Sequence, residues 1–235
     1  MPSAQKAEEI NEPLRTSAGE DLHLLLREIH VSNIRDLNTL QGRGTVLFAE
    51  GEPARGIYIL RTGRAAVSIS SSEGRVVILR IAQAGDVLGL NCTLRNATYD
   101  TTVKTLEACR ADFIPRAQLM AVMENNNGAV AIMKLLSREL AELTSQTSSR
   151  LLPQITSGRL ARVLLQCSDE PTSSNSRTRI VDKVLTHEQL AQMIGSSRET
   201  VTRLLANLRR RQIIRTTADS IVISDVAGLE ETART

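Results

Sequence analysis

Residues 195–211 read GSSRETVTRLLANLRRR, and the segment separates its apolar and charged side chains by helical face. Projected at about 100° per residue, Val201, Leu204, Leu205 and Leu208 fall together at i, i+3, i+4 and i+7. Glu199, Arg203 and Arg210 cluster on the opposite side. One face suits burial and the other suits an anionic partner. Arg198 stands at the helix start, where a cation opposes the helix dipole, so its placement calls for a reason outside the helix.

The flanking segments supply one. THEQLAQMIG (186–195) predicts a helix with Thr186 as N-cap and Gln189 reaching back in a capping box, ended by Gly195. Ser196 or Ser197 caps the next helix, since Ser196-x-x-Glu199 fits the same box. Two short helices joined through a glycine turn make a helix-turn-helix. QIIRTTADSIVISD (212–225) follows as a hairpin of alternating isoleucine and valine, like the wing of a winged helix. In such a unit the second helix enters the major groove and its N-terminal residues touch base edges. Arginine's planar fork matches guanine O6 and N7, and glutamate accepts a hydrogen bond from cytosine N4. Arg198, Glu199 and Arg203 are therefore the candidate base contacts. Thr186, Ser197, Thr200 and Thr202 are short enough to reach phosphates, and Arg209, Arg210 and Arg211 supply sequence-independent attraction to the backbone. A basic amphipathic helix alone is most often a solvated surface. The paired helix, the caps and the wing make this one specific.

The charge distribution agrees. Residues 1–150 carry 17 basic and 17 acidic side chains, whereas residues 151–235 carry 12 and 9. A neutral front and a basic back place any nucleic acid at the back. Aromatic residues are 2% of the chain with no tryptophan, which counts against the stacking platforms used for single strands. The 235 residues have room for one large domain or two modest ones. Cys92, Cys109 and Cys167 include no close pair, so neither a disulfide framework nor a zinc site is expected. No run of about 18 apolar residues occurs and the N-terminus lacks a signal pattern, so a cytosolic protein without membrane contact is expected.

Toward the N-terminus, residues 1–20 are polar and read as a loosely held tail. DLHLLLREI (21–29) reads as a short helix. From about 40 to 115, β-type runs such as TVLFAEG, GIYILRTGRAAVSIS and RVVILRIAQAGDVLGL alternate with turn residues, predicting an antiparallel barrel or sandwich. Gly51, Gly63, Gly74 and Gly85 sit where turns with positive φ belong. In GAVAIMKLLSRELAELTSQTSSRLL (128–152), Met133, Leu136, Leu140, Leu143 and Thr147 form a heptad seam. A helix of roughly 36 Å is more than a small barrel covers, so a dimer seam is favoured. Pro153 breaks that helix and marks a boundary. The predicted organisation is α+β: a tail (1–20), a β-roll sensing domain (21–127), a dimerisation helix (128–152) and a winged helix-turn-helix domain (153–235).

LTHEQLAQMIGSSRETVTRLLANLRRRQIIRTTADSIVISD (185–225) closely resembles the C-terminal DNA-binding domain of the cyclic-AMP receptor protein and fumarate–nitrate reductase regulator (Crp/Fnr) family. GEPARGIYILRTGRAAV and AGDVLGL resemble that family's glycine-punctuated β-roll, and 128–152 its dimerisation helix. The likeness spans roughly residues 25–225. It implies a homodimeric transcription regulator of jelly-roll plus winged-helix fold, partnered by a palindromic duplex operator, RNA polymerase and a small-molecule effector. Arg198, Glu199 and Arg203 match family residues that read a TGTGA-like half-site, and Ser197 and Thr200 take phosphate positions.

The resemblance fails at the effector pocket. Members that bind cyclic AMP carry a Gly-Glu pair for the ribose and an Arg-Ser pair for the phosphate. Here the first reads Gly89-Leu90, followed by Asn91, and the second falls at Tyr99-Asp100. Leucine accepts no ribose hydroxyl, and an aspartate repels a phosphodiester. Thr144-Ser145 does match the pair that meets the adenine. Cyclic AMP is therefore disfavoured, and the cofactor stays unassigned. An iron–sulfur cluster is not expected, because no cysteine precedes Cys92. His23 and His30 carry no support as haem ligands, and Cys92 beside the pocket has only weak claim to thiol sensing. No P-loop, nucleophile elbow, HExxH or GxGxxG occurs, so no catalytic residue is assigned and an enzyme is not expected. A constitutive or architectural DNA-binding dimer with a degenerate pocket is the alternative.

Overall fold

The computed structural model describes Leu22, Leu25 and residues 39–151, 155–168, 178–182, 185–217 and 220–234, with the backbone alone for 142–151 and 182. The tail, His23, His30 and Pro153 lie outside the described residues, as do the side chains of Leu143, Thr144, Ser145 and Thr147.

The front half is built from two four-stranded antiparallel sheets. One runs β1 (Thr39–Gln41), β8 (Cys109–Pro115), β3 (Gly56–Thr62), β6 (Val87–Leu88) in spatial order; the other runs β2 (Val46–Phe48), β7 (Thr102–Thr105), β4 (Ala65–Ser70), β5 (Val76–Ala82). The expected barrel or sandwich is thus a sandwich-like roll. Gly51, Gly63, Gly74 and Gly85 all have positive φ, between 76° and 95°, as the turn assignment required. Between the sheets Phe48, Leu60, Val67, Leu88, Tyr99, Val103 and Ala111 form one core. On the outer face of the first sheet, Ile57, Ile59 and Ile114 meet helices. The covering side chains are Leu90 of α1 (Leu90–Leu94), Leu119 and Val122 of α2 (Arg116–Met123), and Ile132 and Leu135 of α3 (Asn126–Leu151). Leu22 and Leu25 are helical and fully buried in the same cluster, matching the short helix expected at 21–29. Sequence periodicity did not single out α1 or α2.

α3 runs 26 residues, or about 39 Å. Its first turns bury Ala131, Ile132 and Leu135 against the roll, whereas Met133 and Leu140 are 61% and 66% exposed. Leu136 is half-buried against the roll core.

The back half packs α4 (Thr156–Gln166), α5 (His187–Ile194), α6 (Arg198–Arg210) and α7 (Val226–Arg234) around a three-stranded sheet ordered β10 (Ile214–Thr216), β11 (Ser220–Ile223), β9 (Arg179–Asp182). The expected wing hairpin forms, with Ile214 opposite Ile223 and Thr216 opposite Ile221. Its third strand, β9, and α7 were not anticipated. α7 lays Leu229 and Ala233 into the domain core, and Arg162 of α4 donates to the Ala233 carbonyl at 3.2 Å.

Candidate nucleic-acid interface and effector pocket

The helix-turn-helix is assembled by its caps. Thr186 accepts from the Gln189 backbone N–H at 3.2 Å while the Gln189 side chain accepts from the Thr186 N–H at 2.8 Å, the full capping box. Gly195 closes α5 at φ 62°, a left-handed conformation that costs most residues about 1 kcal/mol or more and glycine little. The next cap is Ser197, which accepts from Thr200 N–H at 3.2 Å. Ser196 and Glu199 do not form the second box: Ser197 has the extended backbone a cap requires, leaving Glu199 in the first turn. Each such cap contributes about 1 kcal/mol.

Val201, Leu205 and Leu208 are buried and Leu204 packs at the edge of the same core, each worth roughly 1.5–3 kcal/mol when fully desolvated. That anchoring leaves Arg198, Glu199, Arg203 and Arg209 to Arg211 exposed. Among the described residues no ion pair holds Arg203, Arg209, Arg210 or Arg211. Hydrogen bonds from its own backbone N–H and the Ser197 hydroxyl, aided by the Arg198 guanidinium, hold the Glu199 carboxyl below its usual range. It is a charged acceptor at neutral pH. The Thr202 hydroxyl donates back to the Arg198 carbonyl and meets His187 Nδ1, both at 2.9 Å. With that proton committed, Nδ1–H is the donor. This chain ties α5 to the first turn of α6 and occupies the Thr202 hydroxyl. Sequence reasoning missed His187 and also Arg215, which is exposed on the wing with Nε donating to Ser224 Oγ at 3.1 Å.

Among the described pocket candidates, Gly89 and Tyr99 come together while Leu90 turns elsewhere. Gly89 turns the chain at φ 79° and lies under the Tyr99 ring: a Cβ there would meet a ring carbon at 2.7 Å. Tyr99 is buried, stacks on Phe48 with centroids 3.9 Å apart, and donates to the Gly56 carbonyl at 2.6 Å. Thr93 donates to the same carbonyl at 2.7 Å. Leu90 turns away into the helix-side core, whereas Asn91 and Asp100 are exposed. The volume beside Gly89 is filled by the protein's own ring.

Cys92 donates to Asp100 at 3.2 Å. Burial pushes all three thiols up, Cys167 to about 11. At pH 8 an ordinary thiol is roughly a quarter thiolate, and one with pKa near 11 only about one part in a thousand. Iodoacetamide should therefore label native Cys167 at least about a hundredfold more slowly than the unfolded chain, as read by mass spectrometry. Equal rates would contradict the burial. Among the described residues no group of three or more His, Cys, Asp or Glu is placed to hold a metal ion, and no helix is long and apolar enough to cross a membrane.

A β-roll carrying a long helix and a winged helix-turn-helix with an exposed cationic second helix defines a DNA-binding regulator. Residues 42–126 match the cyclic nucleotide-binding domain and residues 158–232 the Crp-like helix-turn-helix domain. The CRP-like cAMP-activated global transcriptional regulator of Mycobacterium tuberculosis is 28% identical over 193 residues, 82% of this chain and 86% of that protein. The transcriptional regulator LdrP of Thermus thermophilus is 29% identical over 191 residues, 81% and 94% of the two chains. FixK2 from Bradyrhizobium japonicum has the same fold, with a TM-score of 0.72 at 20% identity, covering 85% of this chain and 98% of its own. The chain belongs to the Crp/Fnr family of transcription regulators.

Proposed function

We propose that the protein acts as a cytoplasmic homodimer that reads a palindromic operator and responds to an effector other than cyclic AMP. The capped, exposed first turn of α6 carries the DNA half of this reading. Arg198 and Arg203 take guanines, Glu199 a cytosine N4, and Thr186, Ser197, Thr200 and Arg209 to Arg211 the phosphates. Thr202 reaches a phosphate only by giving up its bond to the Arg198 carbonyl. Half-sites about 34 Å apart require two copies related by a two-fold axis, which the exposed Met133 and Leu140 of α3 serve. RNA polymerase is the expected partner of the bound dimer. Selection from randomised duplexes tests the reading: an inverted repeat of TGTGA-like half-sites is expected, and enrichment without symmetry would defeat it.

The relative from Mycobacterium tuberculosis is described as cAMP-activated. Transfer of that property is opposed by Tyr99, whose ring fills the space over Gly89 and brings no charge to offset a phosphodiester. Calorimetric titration with cyclic AMP should show no saturable heat at micromolar concentrations. Micromolar affinity, lost when Thr144 and Ser145 become alanine, would reverse this conclusion. The filled pocket equally suits the second reading, a constitutive dimer.

A further inference from the structure

His187 is the first residue of α5 and is half-buried. Its ring Nδ1–H donates to the hydroxyl of Thr202, an exposed residue of α6, at 2.9 Å. That hydroxyl passes its own proton to the Arg198 carbonyl, also at 2.9 Å. The relay joins two parts of the helix-turn-helix that have different tasks. Its α5 end adjoins Thr186, the cap residue of that helix. Its α6 end is the turn that carries Arg198, with Glu199 and Arg203 beside it, all exposed. On their buried sides the two helices meet through an apolar cluster that includes Leu190, Ala191, Ile194, Val201 and Leu205.

We propose that His187 is a positioning residue for base recognition. Through Thr202 it fixes the angle at which the first turn of α6 stands to the phosphate-binding end of α5. The inference rests on the reading of Thr186 as a phosphate contact and of Arg198 as a base contact. Apolar packing is non-directional, so the cluster sets the separation of the helices more firmly than their relative rotation. A hydrogen bond has direction and weakens steeply off its axis. The relay lies on the exposed side, so the pair of helices is held on both sides. Phosphate contacts set the register of a protein on the duplex, and base contacts read the sequence. Reading requires the functional groups to be held within about 0.5 Å and 10–20° of their working geometry. Loss of the brace therefore costs discrimination between sequences more than attachment to DNA. Because the Thr202 proton is committed to Arg198, the ring must act as donor, and any substitute at this position has to supply one.

The test compares binding of the full-length protein to a duplex carrying the inverted TGTGA-like repeat and to a scrambled duplex of the same composition. His187→Ala should lower the ratio of the two affinities about three- to tenfold, as loss of one hydrogen bond does. Affinity for the scrambled duplex, and its salt dependence, should stay as in the parent. Thr202→Val keeps the branched shape without the hydroxyl and should have the same effect. Since both variants break one relay, the double variant should lose no more than either alone. His187→Asn places an amide N–H near the position of Nδ1 and should restore the ratio. His187→Gln places its amide near Nε2 and should not. Thr202→Val carries the test if His187→Ala disturbs the start of α5. An unchanged ratio in both single variants, or additive losses in the double variant, overturns the proposal. So does an equal loss on both duplexes, which would make His187 a phosphate contact, and so does rescue by glutamine without rescue by asparagine. Arg198→Ala is scored beside them. If it keeps the parent's ratio, the base-reading assignment falls and the brace with it. If it loses the ratio while His187→Ala and Thr202→Val keep it, the brace alone falls.

Discussion

Replacing Leu140 with aspartate should convert the protein to monomers and remove most of its affinity for a palindromic operator. Leu140 and Met133 are seven residues apart on α3 and stand 66% and 61% exposed, although the residues between them bury Leu135 into the roll. Large apolar side chains repeated at heptad spacing on a long helix are suited to a partner helix. Burial of each leucine contributes roughly 1.5–3 kcal/mol, and the two-fold axis doubles that contribution. Aspartate removes it and adds two like charges facing each other in a desolvated seam, a further cost of several kcal/mol. The sum exceeds about 4 kcal/mol, or roughly a thousandfold in dimerisation. A monomer presents one recognition helix to two half-sites, so operator affinity falls with it. Sedimentation velocity reads the outcome, and a fully dimeric Leu140→Asp protein would remove the seam from α3.

Arg198→Ala and Arg210→Ala should fail differently. Loss of a bidentate arginine–guanine contact costs about 1–3 kcal/mol and relaxes preference mainly at that base pair. Arg210 lies in the last turn of α6, where its attraction goes to phosphate. Alanine there should weaken all sequences about equally and flatten the slope of log affinity against log salt by about 0.9. If Arg198 and Arg203 only decorated a solvated helix, the losses would be uniform and base preference unchanged. Binding of randomised operators at two salt concentrations decides between the two. Arg198→Ala retaining the parent's preference at every position would exclude a base-reading role.

The features legible from the residues alone are local. The Thr186–Gln189 box, the Gly195 turn, the apolar face of α6 and the wing hairpin all follow from residues a few positions apart. Their hydrogen-bond partners and periodicities need no distant chain to complete them. The glycine turns of the roll are of the same kind, since positive φ is a property of the residue. Tertiary structure alone decided the rest. Choosing Ser197 over Ser196 as cap depended on how α6 enters the domain core, a difference of one residue that both serines satisfy locally. β9 has four residues and becomes a strand because β11 presents a free edge to it. Tyr99 and Leu90, aligned by sequence to a ligand, go instead to separate cores, one between the sheets and the other beneath the helices. Apolar side chains are drawn to whichever desolvated volume lies within reach, and those volumes exist only once the sheets and α3 have packed. The same holds for the contact of Leu185 and Leu190 with Ile78. Those leucines are more than a hundred positions from Ile78, and no periodicity joins them.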